Sequence, residues 1–355
     1  MISIMNAIIN SKKIKYAVLN NLIKDLPQDT EELNLFISVE SILKSFYAPK
    51  VNEVFNSLNN EDKYLLSSEL INIAAHYRHY FWSRFNIPTN FYFFYSSEKA
   101  FHNCVLDSDY RLDYYNKRFD NNSEYYNLNK IIEENLKLSN IMSEYLPNIY
   151  FVNTLTVEPS VLAYHIINRI GSQNGLTNLI LTNNILDYQL VSMPNTFIIE
   201  MNMDKSFIIS KDNLYNIVLK KSKIRDTSSL SHVFYPAILS ISGHKKYNVE
   251  GIKGMGIVKT ISKLEKKIED GTITNDILSA DMLLTSNKLF DNTDTVIRNY
   301  KLLSYSYQNK NISPKESFNI KNQLINKSDN MSLMEINRLY YENYPLMLLE
   351  LMEGE

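Results

Sequence analysis

The sequence predicts an α/β fold in which a central parallel sheet is covered by helices on both faces. Short, almost entirely apolar segments recur between residues 33 and 201, and longer segments of helical character separate them. Strands buried on both faces are apolar along their whole length, and alternation of strand and helix is typical of parallel sheets. The chain has 355 residues, of which 45% are hydrophobic, so it is long enough for one large core with an appendage.

The first three predicted strands lie in the first half of the chain. Residues 1–32 are polar and helical in character, and we expect them to form an N-terminal extension before the core. The apolar run from Leu33 to Leu43 predicts a buried strand that passes into a helix. The segment from Phe91 to Tyr95 is aromatic throughout, which favours a strand, and the segment from Asn148 to Leu155 predicts the third.

Two further strands complete the predicted sheet. A helix whose first turn holds Glu158 and Pro159 follows the third strand, and proline is tolerated there because that amide has no acceptor within the helix. The segments from Asn178 to Thr182 and from Thr196 to Met201 predict the fourth and fifth strands. Beyond residue 230 the pattern is helical. We therefore expect an N-terminal extension (1–32), an α/β core (33–230), a helical region (231–300) and a C-terminal helical tail (301–355).

The composition restricts the setting of the protein. The formal net charge is −2, so the total charge does not require a polyanionic partner. Cys104 is the single cysteine, which excludes an internal disulfide, and no apolar run approaches the roughly 18 to 20 residues that span a bilayer. The N-terminus lacks the features of a signal peptide, so we expect a cytoplasmic protein. The abundance of Asn, Ile, Lys and Tyr is typical of a low-GC microbe or one of its viruses, in which case the host cytoplasm or the virion would hold the protein.

The segment GHKKYNVEGIKGMGIVKTISKL, from Gly243 to Leu264, combines closely spaced glycines with lysines. Glycine adopts positive φ readily and lets a ligand approach the backbone, and the amides at the start of the following helix favour an anion. We expect positive φ at Gly251, Gly254 and Gly256. The candidate phosphate-binding residues are Lys245, Lys246, Gly251, Lys253, Gly254, Gly256, Lys259 and Lys263.

Two plainer interpretations of this segment remain open. Runs of lysine commonly form solvated faces, and this applies equally to a second cluster formed by Lys220, Lys221, Lys223 and Arg225. The glycine turn also suits a hairpin that only packs two helices together. The direction in which the lysines point decides between these interpretations.

The same segment resembles the DNA-binding segment of the flap endonuclease and 5′-to-3′ exonuclease family. In that family the segment carries two metal-binding aspartates, followed by a glycine-rich helix-hairpin-helix turn. The positions that match the family's glycines and asparagine are Gly243, Asn248, Gly251, Gly254 and Gly256. His244 and Tyr247 stand where the family has the two aspartates. The resemblance therefore implies that the turn is kept while its metal ligands are lost.

Four earlier stretches resemble the acidic motifs of the same family, in the same order along the chain. The residues that stand where the family has an acid are Ser38, Tyr95, Ser160, Val161, Asn184 and Leu186, and only Glu158 remains acidic. The stretch LTNNILDYQLV keeps Thr182, Gln189 and Leu190 of the family pattern. The pattern has thus lost its acids selectively, while the apolar strands and the neighbouring polar residues persist.

The resemblance implies a PIN-like (5′-nuclease-like) core at residues 33–230, with a central parallel sheet flanked by helices, and a helix-hairpin-helix region at residues 231–300. Members of this family cut phosphodiesters with two divalent metal ions, and hard ions such as Mg²⁺ are held by carboxylates. Loss of the carboxylates implies a pseudo-nuclease that binds no metal and has no catalytic residue, with Glu158 as a vestige. We expect a DNA-binding or assembly module that contacts the backbone of duplex or branched DNA and that also offers a surface to a protein partner.

Two alternatives stay open beside this hypothesis. The first is a residual Mg²⁺-dependent 5′ flap nuclease with relocated carboxylates, because Glu40, Glu98 and Asp187 lie close in sequence to the lost acids and could act with Glu158. The second is a purely structural or protein-interaction subunit. Its docking element would be the acidic, apolar tail at residues 346–355 or the tyrosine-rich middle of the chain.

Overall fold

The structure is a computed structural model that describes Leu26, residues 29–39, separate residues between 70 and 85, and residues 86–96, 101–119, 148–154, 156–170, 175–200, 207–222, 227–276, 280 and 293–324. Most of the predicted N-terminal extension and the tail at residues 346–355 lie outside the described residues, as do Glu40 and Glu98. None of the described helices is long and apolar enough to cross a membrane.

A six-stranded sheet forms the centre of the fold. Its strands are β1 (Glu32–Ser38), β2 (Thr89–Ser96), β3 (Ile149–Thr154), β4 (Leu176–Thr182), β5 (Thr196–Glu200) and β6 (Phe207–Ile209), in the order β3-β2-β1-β4-β5-β6. Strands β1 to β5 pair in parallel, whereas β6 runs antiparallel to β5. The five predicted strands are confirmed with small differences at their ends. The antiparallel strand β6 is an addition that the sequence patterns do not predict.

Both faces of the sheet are buried, which explains why its strands are apolar along their whole length. Phe36, Tyr92 and Phe94 belong to the hydrophobic cluster on one face, and Phe91 and Phe93 belong to the cluster on the other. Aromatic rings stack across neighbouring strands, with centroids 4.8 Å apart for Phe36 and Tyr92. Such cross-strand aromatic pairs stabilise the register of β1 and β2, in addition to the stabilisation from burying their apolar surface.

Helices cover the sheet and continue to the end of the described chain. They are α1 (Phe101–Leu106), α2 (Leu112–Phe119), α3 (Pro159–Ile170), α4 (Leu214–Lys221), α5 (Tyr235–Ser242), α6 (Ile257–Glu269), α7 (Thr293–Leu303), α8 (Tyr305–Lys310) and α9 (Pro314–Gln323). Helix α3 begins at Pro159, so Glu158 precedes the helix instead of lying in its first turn. The region after residue 230 is not purely helical, because a short hairpin of β7 (Gly243–His244) and β8 (Val249–Glu250) separates α5 from α6.

The order of the strands identifies where a site is expected. Strand β1 has β2 on one side and β4 on the other, so the chain reverses its direction of sheet growth at β1. In open parallel sheets, ligands bind beyond the carboxyl ends of the strands at such a reversal. Glu158 lies just before α3, and a 3₁₀ helix at Ile185–Ser192 follows β4, so both lie at this edge of the sheet.

A buried glutamine joins the C-terminal helices to the sheet. The Gln189 side chain donates from Nε2 to the carbonyl of Leu303 (3.0 Å) and accepts from the backbone amide of Tyr305 (2.8 Å). These two groups flank the break between α7 and α8, where backbone groups lack partners within a helix. Gln189 therefore provides hydrogen-bond partners for the backbone groups at the break, and it fixes both helices relative to the residues that follow β4.

The exposed edge of β3 is covered by a side chain that imitates a neighbouring strand. Gln323 accepts a hydrogen bond from the amide of Asn153 (2.7 Å) and donates one to its carbonyl (3.2 Å). We expect Gln323→Ala to lower the free energy of unfolding by about 1–2 kcal/mol, because two hydrogen bonds at an edge strand are lost. Urea unfolding monitored by circular dichroism measures this effect. Asn322→Ala, at an exposed neighbouring position, is the control and should change stability little; equal effects of the two substitutions would contradict the role of Gln323.

Candidate functional site

The glycine segment forms a compact hairpin between α5 and α6. Gly243 ends α5 with φ of +66° and begins β7, which pairs antiparallel with β8. A 3₁₀ turn at Lys245–Tyr247 joins the two strands, and Asn248 closes it in the left-handed region with φ of 54°. Asparagine and glycine are the residues that adopt this conformation at least cost. The hairpin thus explains why the sequence has Gly243 and Asn248 at these positions.

The glycines of the segment serve two different purposes. A Cβ on Gly251 would lie 2.2 Å from the backbone carbon and oxygen of Ser242, so this glycine allows two backbones to touch. Gly254 has φ of +76°, and its only neighbour within 4 Å of a built Cβ is the Lys259 Nζ at 3.8 Å. Gly256 has φ of −69° and open space around it. The prediction of positive φ is therefore confirmed at Gly254 but wrong at Gly251 and Gly256. Close packing explains the glycine at position 251, whereas neither φ nor packing requires one at position 256.

Helix α6 begins at the open side of this turn. Gly256 is its N-cap residue and supplies no side-chain hydrogen bond to the first turn. Three lysines of the candidate set, Lys253, Lys259 and Lys263, are exposed on the turn and on the first two turns of α6. The N-terminal amides of a helix carry partial positive charge, so the lysines add to a field that already favours an anion.

A groove of about 1080 Å³ lies beside the glycine turn. The basic residues that line it are Lys245, Lys253 and Arg298, and the acidic residues are Asp107, Asp109 and Glu250. The guanidinium of Arg298 lies 3.9 Å from the carboxylate of Asp107. Sequence analysis identifies the two lysines. It misses Asp107, Asp109 and Arg298, which lie outside the glycine segment, and Glu250, which lies within it.

The remaining lysines do not all join this groove. Lys246 is exposed. Burial raises the pKa of the Asp187 carboxyl and lowers that of His244, and the charge of Lys246 opposes the first shift and adds to the second, so it lies towards the strand ends. Lys221, from the second predicted cluster, forms an ion pair with Glu200 and donates to the Tyr188 hydroxyl (2.6 Å). Lys223 and Arg225 lie outside the described residues. The structure therefore places Lys245 and Lys253 in one groove and Lys259 beside Gly254, whereas Lys221 of the second cluster pairs with Glu200.

A buried ion pair occupies the strand-end site. Glu158 and Arg111 are only 5% and 3% exposed, and the Arg111 guanidinium donates to one carboxylate oxygen of Glu158 at 2.5 Å. The Tyr115 hydroxyl donates to the other oxygen at 3.2 Å. The Arg111 guanidinium also lies 4.7 Å from the ring centroid of Tyr247. The charge of Glu158 is thus neutralised inside the protein by a cation of the same chain.

A second polar network lies beside this pair. The Asn184 amide donates to the Tyr247 hydroxyl (3.0 Å) and to Asp187 (3.2 Å). Asp187 also accepts hydrogen bonds from the hydroxyls of Thr182 and Tyr305, the latter at 2.5 Å. Burial raises the pKa of the Asp187 carboxyl above its ordinary value, although these hydrogen bonds oppose the shift. The oxygens of Asp187 are therefore committed to donors of the protein.

The residues that replace the family's acids are packed into the protein. Asn184, His244 and Tyr247 contact one another or Arg111 near Glu158. Val161 and Leu186 belong to the main hydrophobic core, whereas Tyr95 packs on the other face of the sheet. In the part of the chain that the structure describes, no group of three or more His, Cys, Asp or Glu side chains is arranged to hold a metal ion. The expectation that no metal is bound stays a prediction, as does the Mg²⁺ alternative.

Arg111 is a residue of the strand-end site that sequence analysis misses. It follows a turn between α1 and α2, where it has φ of +50° and its backbone amide donates to the carbonyl of Tyr247 (2.9 Å). A positive φ at a non-glycine residue is uncommon and costs energy, so surrounding contacts must hold it. Its local sequence carries no periodic or motif signal that distinguishes it from an exposed arginine.

Burial of His244 predicts how stability depends on pH. Desolvation lowers the pKa of His244 to about 4, and the nearby charges of Lys246 and Arg111 act in the same direction. The unfolded chain protonates first, so the stability contribution is complete above pH 6.5 and is lost as pH falls towards 4. His165 and His232 also have lowered pKa values, whereas the raised pKa of Asp187 acts in the opposite sense.

We expect a comparison with His244→Phe to isolate this contribution. Between pH 7.5 and pH 5 the wild-type protein should lose about 2 kcal/mol more of its free energy of unfolding than the variant, because phenylalanine does not titrate. Urea unfolding at the two pH values measures the difference. Equal losses in the two proteins would show that His244 is not held neutral in the folded state.

Solved structures of bacteriophage T5 proteins share this architecture. A pseudo-enzyme form of the T5 flap endonuclease, in a product complex with DNA and metal ions, is 13% identical with a TM-score of 0.56, and the match covers 82% of this chain and 98% of that chain. The T5 5′-exonuclease with bound zinc is 11% identical with a TM-score of 0.56, over 87% of this chain and 99% of that chain. No protein-family model and no curated protein sequence matches the chain. The flap endonuclease-like, PIN-like fold expected from the sequence is confirmed.

Proposed function

We propose that this protein is a catalytically inactive 5′-nuclease-like protein. It binds the phosphate backbone of DNA with the glycine turn and the lysines around that turn. The observation that carries the proposal is a contrast between two sites on one fold. At the strand ends, Arg111 and Glu158 form a buried ion pair. At the turn, Gly254 and Gly256 leave open space beside exposed lysines.

The residues at the strand ends do not fit a pair of divalent metal ions. Two-metal hydrolysis requires several carboxylates with free oxygens around both ions. Glu158 is paired with Arg111, and Asp187 accepts hydrogen bonds from Thr182, Asn184 and Tyr305. The side chain of Leu186 has no atom that could ligate a metal ion. The Arg111 guanidinium would also repel a divalent cation placed beside Glu158. We therefore derive no catalytic step at this site.

The turn supports backbone binding without base recognition. The amides at the start of α6 and the side chains of Lys253, Lys259 and Lys263 together favour phosphate. We propose that α5, the hairpin and α6 together form a helix-hairpin-helix element. The T5 flap endonuclease structure with DNA supports this proposal, because its fold is the same. The source is proposed to be a virus of a low-GC host, on the composition and on the bacteriophage origin of the similar structures.

Replacing both Lys253 and Lys259 with alanine is expected to weaken binding to a labelled 5′-flap duplex at least tenfold at low salt. Each lost phosphate contact should also reduce the slope of log K against log salt by about 0.9. Fluorescence anisotropy over a series of salt concentrations measures both quantities. Lys220→Ala, an exposed lysine on α4, is the matched control and should bind like the wild type. Absence of wild-type binding at low salt would contradict the proposal.

The mixed charge of the groove favours one alternative, a protein-interaction subunit. Asp107, Asp109 and Glu250 reduce the positive potential beside the lysines, and the net charge of the chain is −2. The residual Mg²⁺-dependent nuclease would need Glu158 and Asp187 to exchange their present partners for metal. It would also need Glu40 or Glu98, which lie outside the described residues.

A further inference from the structure

We propose that Arg298 is a further phosphate-binding residue, and that a DNA phosphate seated in the groove lies between Arg298 and the glycine turn. Arg298 belongs to α7, outside the glycine segment, and it lines the same groove as Lys253, Gly254 and Gly256. The inference rests on the proposed function for its ligand. It assigns a contact with that ligand to a helix that no sequence motif identifies.

The next residue along α7 fixes the position of Arg298 relative to the glycine turn. Asn299 is fully buried, and its side-chain amide donates to the carbonyls of Ser240 (2.8 Å) and Glu250 (2.7 Å). Ser240 belongs to α5 and Glu250 to β8, so a single side chain joins α7 to the helix and to the hairpin that precede the turn. A site held by buried contacts of this kind is already arranged before its ligand arrives, which lowers the cost of binding.

The guanidinium of Arg298 keeps donors for a ligand. Its side chain is 45% exposed and lies 3.9 Å from the carboxylate of Asp107, which is longer than a hydrogen bond. The guanidinium also donates to the Asn299 side chain at 3.4 Å. A guanidinium has five N–H donors in a planar fork that matches two oxygens of one phosphate. Asp107 therefore stands beside the guanidinium without occupying the donors that a phosphate requires.

The balance of charge in the groove makes Arg298 decisive. Apart from Arg298, the charged side chains that line the groove are two lysines and three acids, so they carry an excess of one negative charge. Arg298 removes this excess, and the amides at the start of α6 then add partial positive charge. The groove accepts a phosphate only when Arg298 is present, because without it the acids outnumber the cations.

Neutralising Arg298 tests the inference. We expect Arg298→Gln to weaken binding of a labelled 5′-flap duplex about tenfold at about 50 mM salt, and to reduce the slope of log K against log salt by about 0.9. Arg298→Lys keeps the charge but loses the planar fork, so binding should weaken only about threefold with the slope unchanged. Arg169→Gln is the matched control, because Arg169 is an exposed arginine on α3 that does not line the groove, and it should bind like the wild type.

Fluorescence anisotropy over a series of salt concentrations, with thermal unfolding of each variant, separates the possible outcomes. Wild-type affinity in Arg298→Gln would overturn the inference and leave the proposed function intact. Weaker binding with an unchanged salt slope would also overturn it, because a purely structural role moves affinity without removing a phosphate contact. An equal loss in Arg169→Gln would show a general effect of charge instead of a contact in the groove. If the wild type does not bind at low salt, the proposed function and this inference are both wrong.

Discussion

Replacing Arg111 with methionine is expected to lower the free energy of unfolding by about 3–5 kcal/mol, the range for breaking one partner of a buried ion pair. Glu158 would remain in the interior with only the Tyr115 hydroxyl as a donor on its other oxygen. The contact of the guanidinium with the Tyr247 ring would be lost as well. Urea unfolding at neutral pH measures the change, and a loss below about 1 kcal/mol would contradict a buried pair.

A second substitution separates the charge from the packing. We expect Arg111→Met combined with Glu158→Gln to recover most of the lost stability, because the uncompensated carboxylate is then removed. Double-mutant cycles quantify this coupling directly. Additive effects of the two substitutions would show that Arg111 and Glu158 do not interact. The variant Glu158→Gln alone should be destabilised less than Arg111→Met, since the new amide oxygen can still accept a hydrogen bond from the Arg111 guanidinium, which also keeps its contact with the Tyr247 ring.

Gly251→Ala is expected to lower the free energy of unfolding by about 3 kcal/mol or more, because the added methyl group would clash with neighbouring backbone atoms. The new methyl group would lie 2.2 Å from backbone atoms of Ser242, so β7 and β8 could not keep their present distance. A flexible side chain could move aside, but a backbone at the end of α5 cannot do so without displacing the hairpin. Thermal and urea unfolding measure the loss, and near wild-type stability would show that the two backbones are not in contact.

Gly256→Ala is the matched control for this prediction. Gly256 has ordinary φ and no heavy atom within 4 Å of an added Cβ, so the stability should fall by no more than about 1 kcal/mol, the cost of alanine at an N-cap. Its DNA affinity should nevertheless fall about threefold or more, because the methyl group would stand between the α6 amides and a phosphate. Unchanged affinity would indicate that no phosphate approaches Gly256.

The sheet could be predicted from the sequence because each of its main strands produces a pattern within its own short segment. Strands β1 to β5 are buried on both faces, and this appears as continuous apolar runs such as Phe91 to Tyr95. Strand β6 has three residues and is defined by its antiparallel pairing with β5, which no local pattern encodes. The hairpin of β7 and β8 has two residues in each strand, so the segment could be predicted as a turn but not as a pair of strands.

The glycine turn and its lysines were likewise predictable, whereas the chemistry at the strand ends was not. The partners there come from distant parts of the chain, since Arg111 reaches Glu158 across 47 positions and Tyr305 reaches Asp187 across 118. The lost acids indicated that the site had changed. Only the fold shows that an arginine and a tyrosine now meet the carboxylates that remain.

We propose that the fold keeps DNA binding while an internal ion pair replaces metal chemistry. The most direct test is a time course with a labelled 5′-flap duplex in Mg²⁺ or Mn²⁺. The protein concentration is chosen to saturate the anisotropy signal, and a denaturing gel shows whether the substrate is cleaved. We predict full occupancy with the substrate intact in both metals. Cleavage that is abolished by Asp187→Asn, and that is therefore intrinsic to this protein, would contradict the account and support a relocated metal site.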